Sequence, residues 1–276
     1  MTVRRVVGPH AVREALRLLA QANVSQDPVR APMSAASAPD TDSHAPQPFS
    51  ADPALGRVWV RRPVPSRLEA LLQHAAAIGV PVEAVPAARL DALARGARHQ
   101  GIVAALPEPA TLDLETLLTT LPPNALLVAL DEVQDPHNFG AILRSAVAFG
   151  AHGVVVPQRR SAQLTPAALR ASAGLGLHLP LARVPNLARS LRILQQHDFH
   201  VLGLASEGEL ALPQLTAVAA ERVALVVGAE GRGLRRLVRT HCDALIRIDI
   251  EAPAESLNAS VAAAIALHHL AYLRRG

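Results

Sequence analysis

The chain has 276 residues, half of them hydrophobic, with 27 basic and 23 acidic side chains and a formal net charge of +4. That length supports one large or two modest domains with a real core. The single cysteine, Cys242, excludes an intramolecular disulfide and a cysteine-built metal site. No window approaches the roughly 20 apolar residues of a membrane helix, and the amino terminus lacks the apolar stretch of a signal peptide. A soluble, cytoplasmic protein is therefore expected. Every basic residue is arginine, and the mildly basic balance is compatible with nucleic acid without requiring it.

Residues 3–22 read as a short strand, a Gly8-Pro9 break and a helix with Val12, Ala15, Leu16 and Leu19 on one face. The pattern is then lost. Residues 23–53, rich in Pro, Ser, Ala and Asp, read as a disordered surface insertion. RVWVRR, SRLEALLQHAAAIG, VPVEAV, AARLDALARG and HQGIVAAL alternate strand and helix and close a small α/β domain over residues 1–106. Residues 107–123, an amphipathic LDLETLLTTL between prolines, read as a connector.

The second domain, 124–276, opens with the strand ALLVAL, a polar loop DEVQDPHNFG and the helix AILRSAVAFG. HGVVVP, TPAALRASAG, LPLARV, NLARSLRILQQ and FHVLGLA continue the alternation, so a mainly parallel sheet covered on both faces is expected. The last helix, Leu257 to Leu273, is apolar nearly all round from Val261 to Leu267 and is expected to be buried on more than one side, at the centre of the monomer or in a subunit interface.

The most informative stretch runs from Leu225 to Val261. Its glycines, Gly228, Gly231 and Gly233, follow G-x-x-G-x-G rather than the dinucleotide order, and Glu230 stands where a pyrophosphate would be repelled. Taken alone they shape a strand-to-helix turn. Asn138, after Asp135-Pro136-His137, reads alone as a helix N-cap, and Arg144 as a surface residue. Together, beside the carboxyl end of a strand, the amide and guanidinium suit a phosphodiester or a ribose. Arg232, Arg235, Arg236 and Arg239 fall at i, i+3, i+4 and i+7, one face of a helix. That face is either solvated or a track for phosphates, which Arg159 and Arg160 extend. Asp131, Asp135 and Glu230 lack metal-ligand spacing. Ser256 has no visible His-Asp partnership and reads alone as a cap of the last helix.

At these residues the chain resembles the SpoU branch of the SPOUT-class RNA 2′-O-ribose methyltransferases. LDEVQDPHNFGAILRSAVAFGAHGVVVP, LVVGAEGRGL and SLNASVA look like its three motifs in order, and GPHAVREAL and HQGIVAAL look like the ends of an L30e-like RNA-binding domain. The resemblance implies a trefoil-knotted α/β domain, a homodimer built around the knot, and S-adenosylmethionine as methyl donor, with no metal. It implies cofactor binding by Gly228, Ile248 and Leu257 with Ala229, Glu230, Gly231, Ser256 and Asn258, and catalysis by Asn138, Arg144, Glu230, Ser256 and Asn258. The amino-terminal domain points to a guanosine of 23S rRNA as substrate, with tRNA methylation or a non-catalytic role in ribosome assembly as alternatives. One departure stands out: IDIEA places Asp249 and Ala252 where the family pattern has proline and glycine.

Overall fold

The computed structural model describes residues 3–25, 56–107, 111–215 and 221–275. The chain divides into two compact units, Met1–Glu108 and Pro109–Gly276. The expected disordered insertion at 23–53 lies outside the described residues, apart from its first three, which complete a helix.

In the first unit the elements run β1 (Val3–Val7), α1 (Pro9–Ser25), β2 (Arg57–Arg61), α2 (Glu69–Ala77), β3 (Val82–Val85), α3 (Ala87–Ala94) and β4 (Ile102–Pro107). The sheet order is β1-β4-β2-β3; β2 and β3 are parallel and the other pairs antiparallel. The predicted face of α1 packs as its spacing requires, with Val12, Ala15 and Leu16 buried. A second cluster gathers Val7, Val85, Leu90, Ala94 and Val103 against Trp59.

The second unit contains α4 (Leu114–Thr119), β5 (Leu126–Asp131), α5 (Pro136–Ala148), β6 (Gly153–Pro157), α6 (Pro166–Ala171), β7 (Leu181–Val184), α7 (Leu187–Gln196) and β8 (Phe199–Leu204). There follow β9 (Leu210–Ala211), β10 (Arg222–Gly228), α8 (Arg236–Arg239), β11 (Ala244–Arg247) and α9 (Ala259–Leu273). The strands form a seven-stranded sheet in the order β7-β6-β5-β10-β8-β11-β9, every neighbouring pair parallel. Parallel strands buried on both faces need continuous apolar sequence, and β5 and β6 are buried at every position. From β5 the chain proceeds outward through β6 and β7, then returns to build the other half, with β10 slotted in beside β5. The boundary between β5 and β10 is thus a topological switch point, where a crevice opens beyond the carboxyl ends of the strands.

Three local expectations are corrected. The segment read as a connector contributes α4, capped by Asp113 and burying Leu114, Leu117 and Leu118 in the second unit's core. Helix α5 starts five residues before Ala141, because Asp135 accepts from the backbone N–H groups of His137 and Asn138 and Pro136 takes the first helical position. Asn138 is therefore not the cap, and its side chain is released for other work. Asn258, not Ser256, caps α9, its Oδ1 accepting from the Ser260 and Val261 amides. The last helix, expected at the centre of the monomer or in a subunit interface, leaves Val261, Ile265 and Tyr272 exposed in the single chain while Ala263, Ala266, Leu267 and Leu270 are buried.

The edge of this core carries a pH-dependent contact. His152 Nδ1 accepts from the Leu126 amide at 3.1 Å, and burial, with the Arg274 guanidinium, holds the imidazole below its ordinary value. The unfolded chain binds that proton more readily. The associated stability is therefore fully present above the unfolded value of about 6.5 and is lost as pH falls below it. Between pH 7.5 and 5.5 the melting temperature of the wild type is expected to fall further than that of His152→Gln. Equal falls would remove His152 from the acid sensitivity of the fold.

Candidate active site

The site is built where β5 and β10 end side by side, Gly228 in register with Asp131. Asp131 is completely buried. A buried carboxylate requires a partner, and Arg235 supplies one: its Nε and Nη2 donate to Oδ1 at 2.7 and 2.6 Å, and its backbone N–H donates to Oδ2 at 2.8 Å. Glu132 follows in the left-handed region at φ 58°, turning its carboxylate toward Arg235 (3.1 Å) and Arg160 (3.5 Å). This network ties the loop after β5 to the chain after β10.

Above it, three polar side chains from distant parts of the sequence meet. Asn138 Nδ2 donates to Glu230 Oε2 at 2.8 Å, and Asn258 Nδ2 donates to Asn138 Oδ1 at 2.9 Å and to Glu230 Oε2 at 3.4 Å. Asn138 is buried, whereas Glu230 is exposed at the mouth of the crevice. Because Asn258 Oδ1 is occupied by α9, its amide nitrogen can only point toward the other two. Glu230 Oε1 has no hydrogen-bond partner among the described residues.

Glu230 is carried by a tight turn in which the Gly233 amide donates to the Ala229 carbonyl at 2.9 Å. Gly231 and Gly233 have φ of 78° and 63°, a conformation that glycine takes without a Cβ penalty. Gly228 serves packing instead: a Cβ there would lie 2.2 Å from the Gly233 carbonyl carbon.

The other predicted positions are less closely joined. Ser256 is exposed and makes no hydrogen bond with another described residue; Leu257 and Ile248 are half-buried, Ile248 one residue beyond the end of β11. Arg144 is exposed and unpaired with any described residue. Six positions along α5 place it about 9 Å up the axis and a third of a turn around from Asn138, so it stands outside the hydrogen-bonded cluster. The arginine face is corrected: α8 spans only Arg236–Arg239, Arg235 is its N-cap, and Arg232 lies in the turn before it. Arg235 is committed to Asp131 and Arg160 leans on Glu132, while Arg159 and Arg232 are exposed. Asp249 is paired with Arg247 at 2.9 Å, and Arg247 also donates to the carbonyls of Gly208 and Glu209. The charge that departs from the family pattern is thus neutralised within its own loop.

Thiol chemistry is remote from this arrangement. Burial, with the Asp243 and Asp131 carboxylates, pushes the Cys242 thiol up to about 12, which keeps it protonated and poorly nucleophilic. Among the described residues no group of three or more His, Cys, Asp or Glu side chains is placed to hold a metal ion.

This cluster lies wholly within a recognisable sequence region. Residues 125–268, over half of the chain, match the model of the SpoU rRNA Methylase family. The chain belongs to the SpoU rRNA methylase family. Residues 49–112 match a second model, for RNA 2′-O ribose methyltransferase substrate binding. Among SpoU relatives, an uncharacterized tRNA/rRNA methyltransferase of Mycobacterium sp. (strain KMS) is 44% identical over 212 residues, 76% of this chain and 67% of the relative. The SpoU methyltransferase AviRb of Streptomyces viridochromogenes, solved in complex with the cofactor AdoMet, is similar at a TM-score of 0.66 and 26% identity, over 79% of this chain and 83% of AviRb. A solved RNA 2′-O ribose methyltransferase is similar at a TM-score of 0.64 and 27% identity, over 79% of this chain and 80% of that protein.

The family resemblance singled out Asn138, Glu230 and Asn258, which the structure brings together, but the Asp131–Arg235 clamp was missed. The available signal was an acidic residue ending an otherwise apolar strand, which demands a buried partner.

Proposed function

We propose that the protein transfers a methyl group from S-adenosylmethionine to a ribose 2′-hydroxyl of RNA, the substrate being a guanosine of 23S rRNA. The observation that carries this reading is the Asn138–Glu230–Asn258 cluster at the switch point between β5 and β10. The residues present fit the cofactor. An exposed carboxylate, Glu230, stands at an edge where strands end in glycine-containing turn and loop backbone, which suits a positively charged ligand. Gly228, Ile248 and Leu257, with Ala229, Gly231 and Ser256, would hold it there. When bound, S-adenosylmethionine supplies a methyl group on a positively charged sulfur.

The chain's own residues fix the other reactant. Asn138 and Asn258 hold one oxygen of Glu230, leaving the other to accept a hydrogen bond from the ribose hydroxyl, so that the hydroxyl is oriented before reaction. An arginine keeps its proton at any working pH, so Arg144 is assigned as a phosphate anchor and not as a base. Arg159 and Arg232 are assigned to phosphates with it. The exposed stripe Val261, Ile265 and Tyr272 supports pairing of two chains along α9. A trefoil knot in the second unit and an L30e-like fold in the first belong to the same reading.

A tRNA substrate is the second reading, since the relatives are named tRNA/rRNA methyltransferases. Transfer of labelled methyl from S-adenosylmethionine to unmodified 23S rRNA fragments and to unmodified tRNA separates the two. Label in rRNA that is abolished by Asn138→Ala and strongly reduced by Arg144→Ala is expected. Label in tRNA alone would replace the substrate, and label in neither RNA despite RNA binding would point to a non-catalytic assembly role.

A further inference from the structure

The first unit contains a groove of about 740 Å³ lined by Arg61, Pro65, Arg67, Asp91 and the segment 96–101. Three guanidinium groups, from Arg61, Arg67 and Arg98, face it against one carboxylate, Asp91, which is engaged by His99 Nε2 at 2.8 Å. Arg61 and Arg98 are exposed and pair with no other described residue. No Phe, Tyr or Trp side chain lines the groove, and its one imidazole, His99, is held at both ring nitrogens by Asp91 and the Gly101 amide.

The loop that forms its wall is held in an uncommon conformation. Arg95 and Gln100, both non-glycine residues, have φ of 49°, and each is followed by a positive-φ glycine, Gly96 at 78° and Gly101 at 94°. Such a conformation is unfavourable for a non-glycine residue and persists only where its surroundings over-determine it. Here His99 Nδ1 accepts from the Gly101 amide at 3.0 Å, the Ile102 amide donates to the His99 carbonyl at 3.1 Å, and Arg67 donates to the Gln100 carbonyl at 3.1 Å. The loop therefore presents Arg98 beside Arg61 with little ordering left to do on binding.

We infer that this groove binds the sugar–phosphate backbone of the substrate RNA, with Arg61 and Arg98 each contacting a phosphate. The inference rests on the RNA-methyltransferase reading of the protein. Exposed guanidinium groups in a groove without Phe, Tyr or Trp suit phosphate contacts, which position the RNA without reading its sequence. The groove is also too large for an isolated phosphate, which suits a stretch of backbone.

The test is equilibrium binding of full-length protein to an unmodified 23S rRNA transcript across a salt series, for wild type, Arg61→Ala/Arg98→Ala and the control Arg13→Ala, exposed on α1. Each lost phosphate contact makes the dependence of log K on log salt shallower by about 0.7–0.9. The double variant is expected to bind roughly tenfold more weakly, with a slope reduced by about 1.4–1.8. In methyl transfer its apparent KM should rise similarly while kcat at saturating RNA stays within about twofold. Unchanged affinity and slope, or an equal effect of Arg13→Ala, would overturn the groove. A wild type that transfers no methyl yet loses affinity through Arg61 and Arg98 would sink the enzymatic reading and leave the groove standing.

Discussion

Asn138→Ala is expected to lower kcat for methyl transfer by roughly 10²–10³-fold, the range seen when one preorganised polar group is removed from a reacting centre. Asn138 is the middle member of its cluster: it donates to Glu230 and accepts from Asn258. Removing its amide deletes both bonds at once and frees the carboxylate to turn into solvent, since Glu230 is exposed. Helix α5 should survive, because its cap is Asp135 and its first position is proline. The discriminating readout is single-turnover methyl transfer at saturating RNA and cofactor, with cofactor binding followed by calorimetry. Cofactor affinity within about tenfold of wild type with collapsed kcat supports a role in placing the reacting hydroxyl. Undiminished kcat would remove the cluster from catalysis.

Arg235→Ala carries the second large effect, on stability. Its guanidinium and backbone N–H together satisfy Asp131, which has no exposure to water. Leaving the buried Asp131 charge without its guanidinium costs about 3 kcal/mol, the low end for a buried pair, because the Arg235 side chain is 47% exposed and its backbone N–H stays bonded. At 2–4 °C per kcal/mol for a chain of this size the melting temperature should drop by about 10 °C. Asp131→Asn in the same background should restore much of that loss, because the stranded charge disappears. If Arg235→Ala left melting unchanged and weakened only RNA binding, Arg235 would be an RNA contact and the clamp would be incidental.

These two residues show what was legible in the sequence and what was not. Asn138, Glu230 and Asn258 each sit in a compact motif, so the family resemblance could single them out, although Asn138 read alone was only a helix cap. Asp135-Pro136 was equally readable as a helix start, yet the apolar periodicity that begins at Ala141 drew attention five residues downstream. The spacing of Arg232, Arg235, Arg236 and Arg239 suggested a shared helical face, but Gly231 and Gly233 hold the preceding chain in a turn and α8 lasts only from Arg236 to Arg239. The pairing of Asp131 with Arg235 joins residues 104 positions apart. Periodicity reports on neighbours three and four residues away, so it carries no trace of such a contact. Strand order has the same character: alternation of strand and helix predicted the parallel sheet, while the placement of β10 between β5 and β8 depends on packing across the whole unit.

The cluster also sets a condition on when the protein becomes competent. Asn138 and Asn258 are separated by 120 positions and Asn138 and Glu230 by 92, so most of the chain of the second unit must be synthesised before the last bond can close. Loop closure over such spans is entropically slow and follows, rather than initiates, local structure. A chain released only as far as β5 and α5 has made a sheet edge without this cluster. The cluster therefore closes only once Asn258, the cap of α9, has joined it.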